Sequence, residues 1–279
     1  MKNLKKFFVI GFIGLLSIFV VACSDTKDQD GISSIKKRDV LRVGVFSDKP
    51  PFGFINAQGQ YDGFDVYISK KIAKDMLGDE SKIEFIPVEA MSRVEFIKSG
   101  KVDIIMANFT KTKEREEVVD FAMPYMKVAL GVVSKNGEIK SIDDLKDKPL
   151  IVNKGTTADF YFSKNYPDIK LLKYDQNTEA FQALKDGRAD ALAHDNTLLF
   201  AWAKENPGFV VSISSLGDEQ VIAPAVKKGN KELLEWLNNE IKTLNEDGFI
   251  KQAYDATLAP IYGTEVDPAS VIFEEDTKN

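Results

Sequence analysis

Residues 98–115, KSGKVDIIMANFTKTKER, decide how the chain folds. The apolar run 102–107 has the length and bounding residues of a buried strand. Asn108 and Thr110 follow at its carboxyl end. Thr112 can cap the next helix, which places Arg115 in its first turn. In open α/β sheets, ligands sit just beyond the carboxyl ends of the strands. An arginine there suits a carboxylate, because its planar fork donates two parallel hydrogen bonds.

The pattern recurs. Ile97-Lys98-x-Gly100-x-x-Asp103 and Leu184-Lys185-x-Gly187-x-x-Asp190 match position for position, and each leads into an apolar strand. The same register sets Asn108 against Asp195. Two such units predict two α/β lobes facing one cleft, one rim offering Arg115 and the other Asp195. That charge pair suits a zwitterion, with a carboxylate at one end and an ammonium at the other. The alternative is two unrelated helix–turn–strand units, since Lys-x-Gly is a common helix stop.

Working outward, 279 residues suffice for two domains or one large one. The formal net charge of −6 argues against nucleic acid, which needs clustered Lys and Arg. The acid excess is spread along the chain and reports mainly on solubility. Lys2, Lys5 and Lys6 precede the apolar run 7–22, which is shorter than the ~20 residues of a membrane span. Residues 1–22 therefore read as a secretory signal peptide. The only cysteine, Cys23, follows Val20-Val21-Ala22, which resembles a lipobox. That resemblance implies cleavage before Cys23 and lipid on its thiol and amino group, several acyl chains giving a stable membrane anchor. Ordinary secretion with a free cysteine is the alternative.

The polar segment 23–36 reads as a lipidated flexible tether. Strands are expected at 40–46, 82–88, 102–107, 150–153, 169–174, 189–194, 209–213 and 221–226. Helices are expected at 64–77, 93–98, 114–119, 178–185, 196–204, 233–244 and 249–256, with another starting after Thr156. Residues 47–54 read as a proline-bearing loop, 56–62 as turns and 122–133 as an extended crossing between lobes. Thr156 is the expected cap of a helix whose free N–H groups can bind an anion. Lobe one takes 37–126 plus 226–266, lobe two 127–225, and 267–279 form a loose acidic tail.

Several motifs together carry a family resemblance. They are Gly63-Phe-Asp-Val66, Asn108-Phe-Thr-x-Thr-x-Glu-Arg115, Asp120-Phe-x-x-Pro-Tyr125, Lys154-Gly-Thr-Thr157 and Gly187-Arg-Ala-Asp190. The stretch 38–266 resembles the family 3 solute-binding proteins of polar amino-acid ABC importers. Residues 102–110 and 124–133 look most like the cysteine-binding, CjaA-like lipoproteins. The resemblance implies a two-lobe periplasmic-binding-protein-like fold of type II, with two mixed sheets, helices and two hinge strands. It implies a monomeric extracytoplasmic receptor that binds an L-amino acid, cysteine above others, and delivers it to the importer's permease. Arg115 would clamp the ligand carboxylate, Asp195 would take the ammonium, and Thr110 and Thr157 would contact the carboxylate. Asn108 would add a short polar contact, Arg93 a second cation, and Phe46 and Phe52 would wall the side-chain pocket. Phe109 and Thr156 join this candidate set. Tyr67 stands where the family usually has an acid, and Lys113 where it usually has a proline.

Bland readings stand beside these. Glu114, Glu116 and Glu117 surround Arg115 and suit a solvated helix. Arg93 suits a structural ion pair, and Phe46, Phe52, Phe54 and Phe109 suit core packing. Strand alternation turns the only histidine, His194, away from the face that Asp195 uses. No metal spacing, phosphate loop or nucleophile motif is present, so neither cofactor, metal nor enzymatic activity is expected. A dehydratase-type enzyme on this fold and a surface adhesin without a small ligand remain the rival readings.

Overall fold

The apolar faces expected from the sequence form the elements that carry the fold. The computed structural model describes residues 31–274. In chain order these are α1 (Ile32–Arg38), β1 (Leu41–Val45), β2 (Asp48–Lys49), β3 (Gly53–Ile55), β4 (Tyr61–Asp62), α2 (Phe64–Leu77), β5 (Ile83–Pro87), α3 (Arg93–Lys98), β6 (Ile104–Ile105), α4 (Lys113–Glu116) and β7 (Val119–Phe121). The second part runs β8 (Met126–Lys135), β9 (Leu150–Asn153), α5 (Thr157–Asn165), β10 (Leu171–Tyr174), α6 (Asn177–Lys185), β11 (Ala191–Asp195), α7 (Asn196–Glu205) and β12 (Phe209–Ile222). The chain then returns through β13 (Ala225–Lys227) to α8 (Lys231–Glu246), α9 (Phe249–Thr257) and α10 (Ala259–Tyr262). The signal-peptide and Cys23 readings fall outside the described residues.

Two five-stranded mixed sheets share one plan. The first is ordered β5-β1-β6-β13-β7 and the second β10-β9-β11-β8-β12. In each, three parallel strands adjoin an antiparallel pair. The sequence repeat maps onto this plan, because α3–β6 and α6–β11 are corresponding units. Gly100 and Gly187 both take left-handed φ, 69° and 70°, ending their helices without a Cβ penalty. The repeat ends there chemically. Asp103 is buried and accepts from the Arg42 backbone N–H at 2.8 Å and its Nη2 at 2.8 Å, whereas Asp190 is exposed.

The sheets are joined by two crossings that run side by side. Ala122 N–H donates to Pro224 O at 2.9 Å and Tyr125 N–H to Ile222 O at 3.0 Å. Such short crossings between two lobes are the kind of segment that absorbs the backbone change of a hinge closure. On the first lobe, α2 buries Phe64, Ile68, Ile72 and Met76, the face its spacing predicts. Helix α8 buries Leu233, Leu237, Ile241 and Leu244 at the same period and packs on α9.

Several expectations need correction. The tether does not reach residue 36, because Ile32 and Ile35 are buried in α1. Residues 47–62 are not all loop: β2, β3 and β4 form a small antiparallel sheet. The strands expected at 209–213 and 221–226 are one strand, β12, followed by the short β13. β12 stays paired to β8 through three register shifts, which hides its alternation across the mostly polar residues 214–220. Residues 267–272 are not a loose tail. Val271 and Ile272 are apolar and buried, and Lys127 N–H donates to Val271 O at 2.7 Å.

Candidate functional site

The site forms where β6 and β11 end opposite each other. After β6 the chain turns at Asn108, whose φ of 44° is one that asparagine tolerates. This turn aims the Asn108 N–H at Asp65 Oδ2, 2.7 Å away at the start of α2. The Tyr125 hydroxyl donates to the other Asp65 oxygen at 2.8 Å. Burial pushes the Asp65 carboxyl up to about 7 despite these two donors.

Phe109 then brings its ring against two guanidinium groups. Arg93 Cζ is 4.4 Å and Arg115 Cζ 4.6 Å from the ring centroid. Arg93, from α3, donates through Nε to Ala90 O at 3.2 Å and through Nη1 to Ala107 O at 2.8 Å and Asn108 O at 3.4 Å. Arg115 sits in α4, which forms without the usual proline because Thr112 Oγ1 accepts the Arg115 N–H at 3.3 Å. Its Nη1 donates to Thr110 O at 2.7 Å. Its Nη2 donates across the cleft to Gly155 O at 3.0 Å. Burial lowers both arginines, Arg93 with a further push from the Arg115 charge, and Arg115 to about 10, which keeps Arg115 charged near neutral pH. Asp195 partly opposes the shift of Arg115, which puts its carboxylate within electrical reach.

The second lobe supplies the other rim. Gly155 has φ 74°, and a Cβ there would lie 2.9 Å from Met91 Cα, so the lobes meet backbone to backbone. Thr156 caps α5, accepting the Asp159 N–H at 3.2 Å and donating to Asn153 O at 2.7 Å. Thr157 Oγ1 lies 3.5 Å from Asp195 Oδ1. Asp195 Oδ2 lies 2.9 Å from Lys49 Nζ, which also donates to Asn108 Oδ1 at 2.6 Å. Burial alone would raise the Asp195 carboxyl, but the Lys49 ammonium holds it well below the usual range. Burial lowers Lys49, and Asp195 opposes that shift.

Asn108, Thr110, Arg93, Arg115, Thr156, Thr157, Asp195, Phe46, Phe52 and Phe109 are thus all buried around one cleft. A groove of about 700 Å³ opens beside Arg115 and Thr157, with Phe160 and Tyr161 on its wall. Within the set the roles differ. The Thr156 hydroxyl is occupied in capping, and Thr110 meets Arg115 through its carbonyl. His194 does not stay apart from Asp195 as alternation suggests. Its Nδ1 accepts the Asp195 N–H at 2.7 Å and lies 3.4 Å from Oδ2, because the strand ends there and its backbone turns into α7. Burial lowers His194, which keeps the ring neutral and Nδ1 free to accept.

Lys49 and Asp65 are the members that sequence reasoning missed. Lys49 sits in a proline-bearing stretch, and its Nζ lies 5.2 Å from the Phe46 ring and 5.8 Å from that of Phe52. The available signal was a lone cation framed by two aromatics. Asp65 is signalled only by an acid at the start of an apolar helix, which usually means a solvated first turn. Among the described residues, no His, Cys, Asp and Glu cluster could hold a metal ion, and no helix is long and apolar enough to cross a membrane.

Comparison with known proteins agrees with this architecture. A solute receptor for L-cysteine of Neisseria gonorrhoeae is 58% identical, with a TM-score of 0.86, covering 88% of this chain and 100% of that one. A cysteine-binding protein from Campylobacter jejuni is 56% identical, with a TM-score of 0.86, covering 88% and 99%. A glutamine-binding protein of an ABC transporter from Bacillus subtilis is 33% identical over 264 residues, 90% of this chain and 96% of its own. Residues 41–258, which contain both sheets and every residue of the cleft, match one family. The chain therefore belongs to the bacterial extracellular solute-binding proteins, family 3.

Proposed function

We propose that the protein is a lipid-anchored extracytoplasmic receptor that binds L-cysteine between its lobes and delivers it to the permease of an ABC importer. The observation that carries this reading is the likeness to a solute receptor for L-cysteine and a cysteine-binding protein at more than half identity over nearly their whole length. The cleft is chemically suited to the task. Arg115 offers a planar fork to the ligand carboxylate, and Asp195 Oδ1 offers an acceptor to its ammonium. Thr157 and the amino end of α5 lie beside both. Lobe two would swing on the paired crossings at 122–125 and 222–224, closing on the ligand and expelling water. The closed face is what a permease would read, with Cys23 as the lipid attachment and a single chain as the working unit.

The experiment is a thermal-shift screen of the mature protein against the twenty amino acids and cystine, followed by calorimetry on the hits. L-Cysteine is expected to give the largest shift. A larger shift with cystine or glutamate would replace cysteine as the ligand. No shift with any of them would remove the receptor reading in favour of an adhesin, and chemical conversion of the ligand would favour an enzyme.

A further inference from the structure

The charges around the cleft carry the amino-acid reading, on which this step rests, further. Lys49, Arg93 and Arg115 are three buried cations. Asp195 is the one carboxylate in direct contact with Lys49. Lys49 also faces Asn108 beyond β6, Arg93 on α3, Asp65 on α2, His194 on β11 and the rings of Phe46 and Phe52. A zwitterion adds one carboxylate and one ammonium and leaves this cationic excess in place. Uncompensated charge in a water-poor site is costly, so a guest that brings one more negative group is favoured.

The geometry says which cation meets that group. An ammonium has three N–H donors. Two of those on Lys49 are taken by Asn108 Oδ1 at 2.6 Å and Asp195 Oδ2 at 2.9 Å. Those two acceptors leave one donor of the three unassigned, and the rings of Phe46 and Phe52 lie 5.2 and 5.8 Å from the same Nζ. Arg93 Cζ lies 5.3 Å from the same Phe46 ring and backs the site with a second charge. Asp195 can serve both ammonium groups, Oδ2 for Lys49 and Oδ1 for the ligand.

We propose that Lys49, backed by Arg93, is the residue that selects the ligand side chain, and that cysteine is bound as its thiolate. On binding, the S–H bond breaks heterolytically. The electron pair stays on sulfur beside the Lys49 ammonium and the proton leaves to solvent, with no change of oxidation state. Serine is then discriminated by chemistry rather than size, because its hydroxyl keeps its proton at any physiological pH.

Calorimetry of the wild-type protein with L-cysteine under reducing conditions tests this, using two buffers of different ionisation enthalpy. The free thiol has a pKa of about 8.5 and is almost wholly protonated at pH 7. Binding as the thiolate should release close to one proton per ligand at pH 7 and tighten roughly tenfold per pH unit between 6 and 8. Asp65, His194 and Lys49 respond to an arriving anion by holding protons more firmly, so their contribution has the opposite sign. Lys49→Met should abolish the release and weaken binding at least tenfold at pH 7.5, whereas Lys49→Arg should retain it. Cysteine binding with no proton release and equal affinity at pH 6 and pH 8 overturns the thiolate and leaves the amino-acid reading intact. Undiminished release in Lys49→Met removes Lys49 from the role. Failure of every amino acid to bind overturns both readings.

Discussion

Asp48 reaches across the cleft to the amino end of α6, where its Oδ2 accepts the Asn177 N–H at 2.7 Å and its Oδ1 accepts the Asn177 side-chain amide at 3.0 Å. One lobe thereby supplies the missing cap of a helix on the other, since Gln176 provides no side-chain cap of its own. The contact exists only while the lobes are together, so it favours closure without touching a ligand. Loss of a cap costs about 1 kcal/mol. Asp48→Ala should therefore raise the cysteine dissociation constant about fivefold, mainly through faster release. Stopped-flow release rates unchanged from wild type would show that Asp48 does not hold the closed form.

Arg115 carries a different load. Its two Nη groups hold Thr110 on one lobe and Gly155 on the other, and its ring contact with Phe109 fixes the plane of the fork. Truncating one side of a desolvated charge pair costs about 2–5 kcal/mol. Arg115→Ala should weaken binding roughly thirtyfold or more. Arg115→Lys should recover little, because one ammonium cannot span two coplanar acceptors. Calorimetry checks both, and an alanine variant within threefold of wild type would take Arg115 out of the clamp.

What the sequence made legible follows from where the physics is local. Period and capping placed α2, α5 and the start of α4, with Thr156 and Thr112 as caps, because those signals lie within a few residues of the element; α4 ends at Glu116 rather than at 119, where β7 begins. The internal repeat placed Asn108 and Asp195 on corresponding strand ends, and the structure joins both to one ammonium. The ammonium itself was not legible. Lys49 acquires its role from burial against residues 59 and 146 positions away, and the flanking Phe46 and Phe52 are only a faint mark of it in the sequence. β12 escaped for a related reason, since its ladder to β8 continues where its own residues lose alternation.

Asp65 gives the protein a pH dependence whose sign is fixed by burial. Its carboxyl holds a proton up to about 7 in the fold, against about 3.9 in an unfolded chain. Between those values the native state binds more protons than the unfolded one, so stability falls as pH rises and levels off above 7. Asp65→Asn carries no such titration. The wild type should lose stability relative to that variant on going from pH 4 to pH 7.5, by an amount on the order of 4 kcal/mol. Urea unfolding of both proteins at the two pH values measures the difference, and a constant gap would mean that the carboxyl is ionised throughout.

Gly155 is where closure is most sensitive to one atom. Its φ of 74° is costly for any other residue, by about 1–2 kcal/mol. An added Cβ would also meet Met91 Cα at 2.9 Å and Met91 N at 3.0 Å, which are backbone atoms of the opposite lobe and cannot rotate away. The first effect acts in either lobe arrangement, the second only when the lobes are together. Gly155→Ala should therefore shift the population toward an open form and weaken cysteine binding at least tenfold. The melting temperature without ligand should fall only by what the backbone strain accounts for. Small-angle scattering with saturating cysteine should give a larger radius of gyration than wild type. A variant that closes normally under cysteine would mean that α5 can slide relative to Met91, and that the lobes do not seat on this glycine.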